Sequence, residues 1–158
     1  MWRIVLLGVL LGLPWGASSE TWEGRVVRVV DGDTFVLLVA GNVQERVRLA
    51  GIDCPERGQA FGTKAKETLL ARVGGKDVTV EWGKRDRYKR VVGKVIDGAG
   101  DVNLALVRSG MCWWYRKYAG EQSDVDQVLY EDAERKAREG RVGLWRDQAP
   151  VPPWEWRR

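Results

Sequence analysis

Short valine-rich stretches with polar residues interleaved occupy the first half of the chain. Thr21 to Val30 and Thr34 to Ala40 read as strands broken at Asp31-Gly32, and Gly41-Asn42 reads as a hairpin turn into Val43 to Leu49. In that third stretch Val43, Val47 and Leu49 share one face, while Gln44, Arg46 and Arg48 share the other. Arg48 is therefore expected on the polar face of a rigid strand. A hairpin loop of two or three residues sets Asp33 opposite Leu49 or Ala50, and Arg48 opposite Phe35 or Thr34. Residues distant in sequence then meet at one end of the sheet, within reach of Asp53 and Glu56.

The period changes after Glu56. Gln59 to Val73 predicts a helix, with Phe61, Ala65, Leu69 and Val73 at i, i+4 spacing and Gly74-Gly75 as its stop. Asp77 to Trp82 and Val91 to Ile96 predict two further strands around the charged stretch Gly83 to Arg90. A short helix follows over Val102 to Ser109. Ser123 caps a last helix with Val125, Leu129, Ala133 and Ala137 as its apolar stripe and Gly140 as its end. From Gln148 onward, Pro150, Pro152 and Pro153 interrupt any period, so a loosely held tail over 148–158 is expected. Five strands with a helix after the third suit an α+β fold of mainly β character, a five-stranded OB-fold Greek-key barrel with three helices. An open α+β sheet fits the same periodicity.

The first residues stand apart. Met1-Trp2-Arg3 is a short basic start, Ile4 to Leu13 is an unbroken apolar run, and Ala17-Ser18-Ser19 offers a small-residue cleavage site. Residues 1–19 read as a signal peptide, since the run falls short of the ~20 apolar residues that span a bilayer. Residues 20–147 are then a single domain, exported to the periplasm or secreted, without stable membrane association once the leader is removed. Its loss takes away Arg3 alone, so the chain's net charge of +4 becomes +3. That balance is compatible with a polyanionic substrate and does not by itself identify one.

Chemistry narrows the picture further. The chain has no histidine and two cysteines, Cys54 and Cys112. Zinc is disfavoured by that count, and a general base near neutral pH is expected to be a carboxylate. Two clusters can supply one: Asp31-Gly32-Asp33-Thr34, and Arg48 with Asp53-Cys54-Pro55-Glu56. A metal site built on such carboxylates prefers a hard cation such as Ca²⁺. An even cysteine count in an oxidising compartment favours a disulfide, with two separate buried thiols as the alternative.

Four ordered motifs give the resemblance: Val30 to Thr34, Arg48 to Glu56, Asp86-Arg87-Tyr88-Lys89-Arg90, and Asn103 to Gly110. With them the chain resembles the staphylococcal-nuclease-like thermonuclease family from about Val27 to Trp145. The resemblance implies Asp33 and Asp53 as carboxylate ligands of Ca²⁺, with the backbone carbonyl of Cys54 as a third ligand. Asp31 reads as a turn residue. Glu56 matches the family's general base, and Arg48 and Arg90 its two catalytic arginines, whose planar guanidinium groups suit bidentate phosphate contacts. Tyr88 and Tyr118 match substrate-binding tyrosines, and Arg87 is grouped with them at the substrate. Arg116 stands where the family has another tyrosine, and Lys89 where its motif carries a glycine.

In the implied fold the segments of Cys54 and Cys112 run close together, so a Cys54 to Cys112 disulfide is expected. The implied function is a Ca²⁺-dependent endonuclease, a monomer that hydrolyses DNA and RNA by water attack on phosphorus. The 5′-oxygen leaves and 3′-phosphate ends remain. A non-catalytic OB domain binding single strands is the alternative from another class. It would be expected to lack one of Asp33, Arg48, Asp53, Glu56 or Arg90, and all five are present. A phosphodiesterase for a non-nucleic substrate would use the same chemistry.

Overall fold

A computed structural model describes residues 19–158; the predicted signal peptide lies outside the described residues except for Ser19. Strands β1 (Glu20–Asp31), β2 (Thr34–Val39) and β3 (Val43–Leu49) form an antiparallel meander. The β2–β3 loop is a single helical turn over Ala40–Asn42, with Gly41 at φ 76° and Asn42 at φ 58°. That three-residue loop sets Thr34 opposite Arg48, one of the two expected registers. Beyond the hairpin come the two-residue strand β4 (Ile52–Asp53) and helix α1 (Gly62–Val73).

Strands β5 (Asp77–Arg85) and β6 (Val91–Asp97) follow as an antiparallel pair. β5 returns to β1, and β6 closes the barrel by pairing in parallel with β3. One-residue irregularities at Val26–Arg28 and Val29–Asp31 of β1 and at Trp82–Lys84 of β5 bend the sheet enough to close it. Phe35, Leu37, Val47, Leu49 and Val80 fill the interior with essentially no exposed surface. Each such side chain contributes about 1.5–3 kcal/mol by leaving water.

The remaining elements cover the barrel: β7 (Gly100–Asp101), α2 (Val102–Arg108), β8 (Trp113–Trp114), α3 (Asp124–Glu139) and a final single turn α4 (Pro153–Trp156). Asn103 pins α2 to the barrel. Its Oδ1 accepts from Val95 N–H, and its Nδ2 donates to the carbonyls of Ala50 and Gly93. Among the described residues, no helix is long and apolar enough to cross a membrane.

Three expectations change. α1 starts at Gly62 instead of Gln59 because residues 56–61 form tight turns and Phe61 takes a left-handed φ of 66°. A side chain at Gly62 would overlap the Glu56 carbonyl, so glycine lets the helix begin against that loop. On α3, Val125 and Leu129 of the predicted stripe are exposed, while Tyr130 and Glu134 turn inward with Ala133 and Ala137. Glu134 can be buried because Trp114 N–H and Arg116 Nη1 donate to its carboxylate, at 3.3 and 2.6 Å.

The third correction concerns 148–158, which is held in place. Trp154 stacks on Tyr115 with ring centroids 5.1 Å apart and meets Trp113 edge-on, and Gln59 Nε2 donates to the Val151 carbonyl at 2.6 Å.

Candidate active site

One end of the barrel carries a cleft of about 1080 Å³, bordered by Asp33, Arg48, Asp53, Glu56, Tyr88 and Arg90. The β2–β3 hairpin delivers the first two. Leu49 N–H donates to the Asp33 carbonyl at 2.9 Å, which fixes Asp33 beside the end of β3. β4 pairs with β8, Asp53 opposite Trp113, and carries Asp53 under the same rim.

Arg48 is the hub. Its Nη2 lies 3.2 Å from Asp33 Oδ2 and 3.1 Å from Asp53 Oδ1, while Nη1 donates to the carbonyls of Leu49 and Ile52 at 2.6 and 2.9 Å. Strand geometry explains the reach: Arg48 ends the polar face of β3, opposite Thr34 and next to the turn that carries Asp53. Asp33 also accepts from the Cys54 amide at 3.1 Å and from Thr34 Oγ1 at 3.0 Å. The contact shown for Cys54 in the site is thus through its N–H. Its side chain is joined to Cys112 in a disulfide that ties the Asp53 loop to the segment after α2.

These carboxylates are costly to bury. Burial pushes the Asp53 carboxyl up, and the guanidinium groups of Arg157 and Arg48 offset that only in part. Asp31 is pushed up to about 7, first by burial and then by the charge of Asp33. Asp31 Oδ1 accepts the Asp33 N–H at 3.1 Å, the contact of a turn residue.

Arg90 arrives from the β5–β6 turn. Asp86 organises that turn, accepting from Tyr88 N–H, Arg90 N–H and Arg90 Nε at 2.9, 3.0 and 2.7 Å. Partial burial pushes the Asp86 carboxyl up, yet those hydrogen bonds and the Arg90 charge bring it below the usual carboxylate value. Lys89 completes the turn at φ 63°, the conformation that its missing glycine would adopt freely. Arg90 Nη1 reaches 3.4 Å from Thr34 Oγ1, so Thr34 links Arg90 to Asp33. Tyr88 stands exposed, with the Arg87 and Arg90 guanidinium groups over its ring at 4.8 and 5.4 Å. Tyr118 also borders the cleft and is partly exposed, with Lys84 Nζ 5.2 Å from its ring centroid. Arg116 lies over the Trp114 ring, held by Glu134.

Glu56 is aimed by its own loop. Gln59 Oε1 accepts the Glu56 N–H at 2.9 Å, and Glu56 borders the cleft on the side facing Asp53. Its carboxylate and both oxygens of Asp53 are bonded by Arg157. Sequence reasoning missed Arg157, Asp86, Gln59 and Thr34 as members of the site. Asp86, four residues before Arg90 in a charged turn, carried a usable signal; the Gln59 and Arg157 contacts depend on tertiary structure.

The donor set suits a hard cation. Asp33 and Asp53 present two buried carboxylates at one rim, and cations already stand against both. Among the described residues no group of three His, Cys, Asp or Glu side chains is arranged as a ready-made metal cluster. Two carboxylates completed by a carbonyl, waters and substrate oxygens remain chemically sufficient for such an ion.

The family model described as staphylococcal nuclease homologue matches residues 46–147. An uncharacterized endonuclease of Haemophilus influenzae is 40% identical over 141 residues, covering 89% of this chain and 76% of its own. One of Escherichia coli is 40% identical over 150 residues, 94% of each chain. A micrococcal nuclease of Shigella flexneri is 42% identical over 166 aligned positions, covering 99% of this chain and 91% of its own. With the closed barrel and this family match, the chain belongs to the staphylococcal nuclease homologue family and is a phosphodiester-hydrolysing nuclease.

Proposed function

We propose that the protein is a Ca²⁺-dependent endonuclease that cuts both DNA and RNA and leaves 3′-phosphate ends. Nucleases of this family are generally metal-dependent. The reading rests above all on the convergence of Asp33, Arg48, Asp53, Glu56 and Arg90 on one cleft beside an exposed tyrosine. Asp33 and Asp53, with the Cys54 carbonyl, would hold the metal. When bound, Ca²⁺ supplies positive charge next to the phosphoryl oxygens.

The chain's own residues account for the remaining steps. Glu56 takes the proton of the attacking water as its oxygen bonds to phosphorus. Arg48 and Arg90 donate to the non-bridging oxygens, whose charge grows as phosphorus becomes five-coordinate. The bond to the 5′-oxygen then breaks, its electron pair stays on that oxygen, and a proton from solvent completes the alcohol. Tyr88, Tyr118 and Arg87 position the polynucleotide, by stacking on bases and by phosphate contact. Export to the periplasm or medium follows from the apolar leader and is supported by the Cys54–Cys112 bridge. The enzyme acts there as a monomer.

Incubation with single-stranded DNA, duplex DNA and RNA in Ca²⁺, Mg²⁺ or chelator tests the proposal. Cleavage of all three in Ca²⁺ alone is expected, with activity falling as salt is added. Binding without cleavage in Ca²⁺ would sink it.

A further inference from the structure

Arg157 lies 104 residues beyond Asp53 and 101 beyond Glu56, yet it closes on both. Nη2 donates to Asp53 Oδ2 at 2.7 Å, Nη1 donates to Asp53 Oδ1 at 3.2 Å, and Nη1 also bonds Glu56 Oε1. Asp53 has no exposed surface, whereas the Arg157 side chain is 42% exposed. A surface cation from the last turn of the chain thus reaches down onto a buried carboxylate. The residues matched by the family model end at 147, so this contact comes from outside them.

The segment is built to deliver that side chain. Pro153 opens α4 with its φ already helical, and Arg157 N–H donates to the Pro153 carbonyl. Trp154, one turn before Arg157, is stacked on Tyr115 and set edge-on to Trp113. Gln59 bonds the Val151 carbonyl with its amide nitrogen while its oxygen holds the Glu56 N–H. One side chain therefore fixes both the tail and the loop that the tail's arginine meets.

We propose that Pro153–Arg158 is an autoinhibitory latch in which Arg157 competes with the divalent cation for Asp53 and occupies the Glu56 oxygen that would otherwise take the proton of the attacking water. The inference rests on the metal reading given above, in which Asp53 is a ligand and Glu56 the base. Arg157 engages both oxygens of Asp53, and Arg48 already shares Oδ1. A divalent ion on Asp53 would then face two guanidinium groups at one carboxylate, and like charges so close repel. Arg48 is also held by the Leu49 and Ile52 carbonyls, whereas the Arg157 guanidinium is held by Asp53 and Glu56. Metal and Arg157 thus exclude one another. A Glu56 oxygen accepting from Arg157 is likewise unavailable to a water proton until the arginine withdraws. The indole of Trp154 can stay seated through that exchange, because it is held by rings and not by the ion pair.

The test is calorimetric titration of Ca²⁺, without nucleic acid, into the wild-type protein, Arg157→Gln and Arg158→Gln. Arg158 removes the same charge from the same turn and has no pairing with Asp53 or Glu56, so it separates competition from general electrostatics. Arg157→Gln is expected to bind Ca²⁺ about tenfold or more tightly than wild type, with Arg158→Gln close to wild type. Arg157→Lys, whose single nitrogen cannot span both carboxylates, is expected to fall between. It carries the same test if the glutamine variant fails to fold. Equal affinity in wild type and Arg157 variants, or equal tightening by Arg158→Gln, would overturn the latch while leaving the metal site intact. Absence of Ca²⁺ binding in every protein would overturn the metal reading and the latch together.

Discussion

Asp86 holds Arg90 twice, through Arg90 Nε at 2.7 Å and Arg90 N–H at 3.0 Å, and so fixes both the side chain and the turn that presents it. Alanine at 86 releases the guanidinium from its aim while leaving Arg90 in the chain. Asp86→Ala is expected to lower kcat by about 100-fold, the size of effect that misplacing a reacting group by about 1 Å can have. KM should change much less. Asp86→Asn keeps one acceptor oxygen and should lie between the two. A KM effect without a kcat effect would make Asp86 a scaffold for the turn alone.

Lys89, next in that turn, holds a left-handed φ of 63°. A side chain in that region costs roughly 1–2 kcal/mol, and glycine gives back part of the gain through its freer unfolded state. Lys89→Gly is therefore expected to raise stability by about 0.5–1 kcal/mol, with activity retained. Chemical denaturation and a cleavage assay on the same preparation check both halves. Loss of activity in a stabilised variant would show that the lysine side chain serves substrate.

Much of this site was legible because its parts obey local rules. The alternation of Val43 to Leu49 and a short Gly41-Asn42 loop narrowed the partner of Arg48 to Phe35 or Thr34, and the three-residue loop selects Thr34. The family resemblance then singled out Asp33, Asp53, Glu56 and Arg90, all of which border one cleft. α3 was misread for a physical reason. An i, i+4 apolar stripe through Val125 and Leu129 assumes that a carboxylate faces water, whereas Glu134 is satisfied inside by Arg116 and the Trp114 N–H. The tail was misread for another. Proline-broken segments have no period to detect, and its order comes from Trp154 on Tyr115 and Arg157 on Asp53, contacts set by the fold alone.

Away from the site, Arg72 and Asp97 tie α1 to the end of β6 with two hydrogen bonds of 2.7 and 3.0 Å. The Arg72 hydrogen bond is the main reason the Asp97 carboxyl lies below its ordinary value of 3.8. A carboxylate depressed in the folded state contributes stability above the unfolded value, and that contribution is lost as pH falls through the folded value. Arg72→Met is expected to be less stable than wild type by about 1 kcal/mol at pH 7, allowing for partial exposure of the pair. The gap should close below pH 3.8. Urea melts of both proteins across that range check it; a gap that stays constant would assign the loss to packing.

In the proposed mechanism this cleft hydrolyses the phosphodiester bond with the 5′-oxygen as leaving group and a metal on Asp33 and Asp53. Mass spectrometry of the ends formed from a defined single-stranded DNA in Ca²⁺, with a chelator control, tests it most directly. The expected fragments carry 3′-phosphate and 5′-hydroxyl ends and are absent in chelator. Fragments with 5′-phosphate ends, or the same cleavage in chelator, would contradict it.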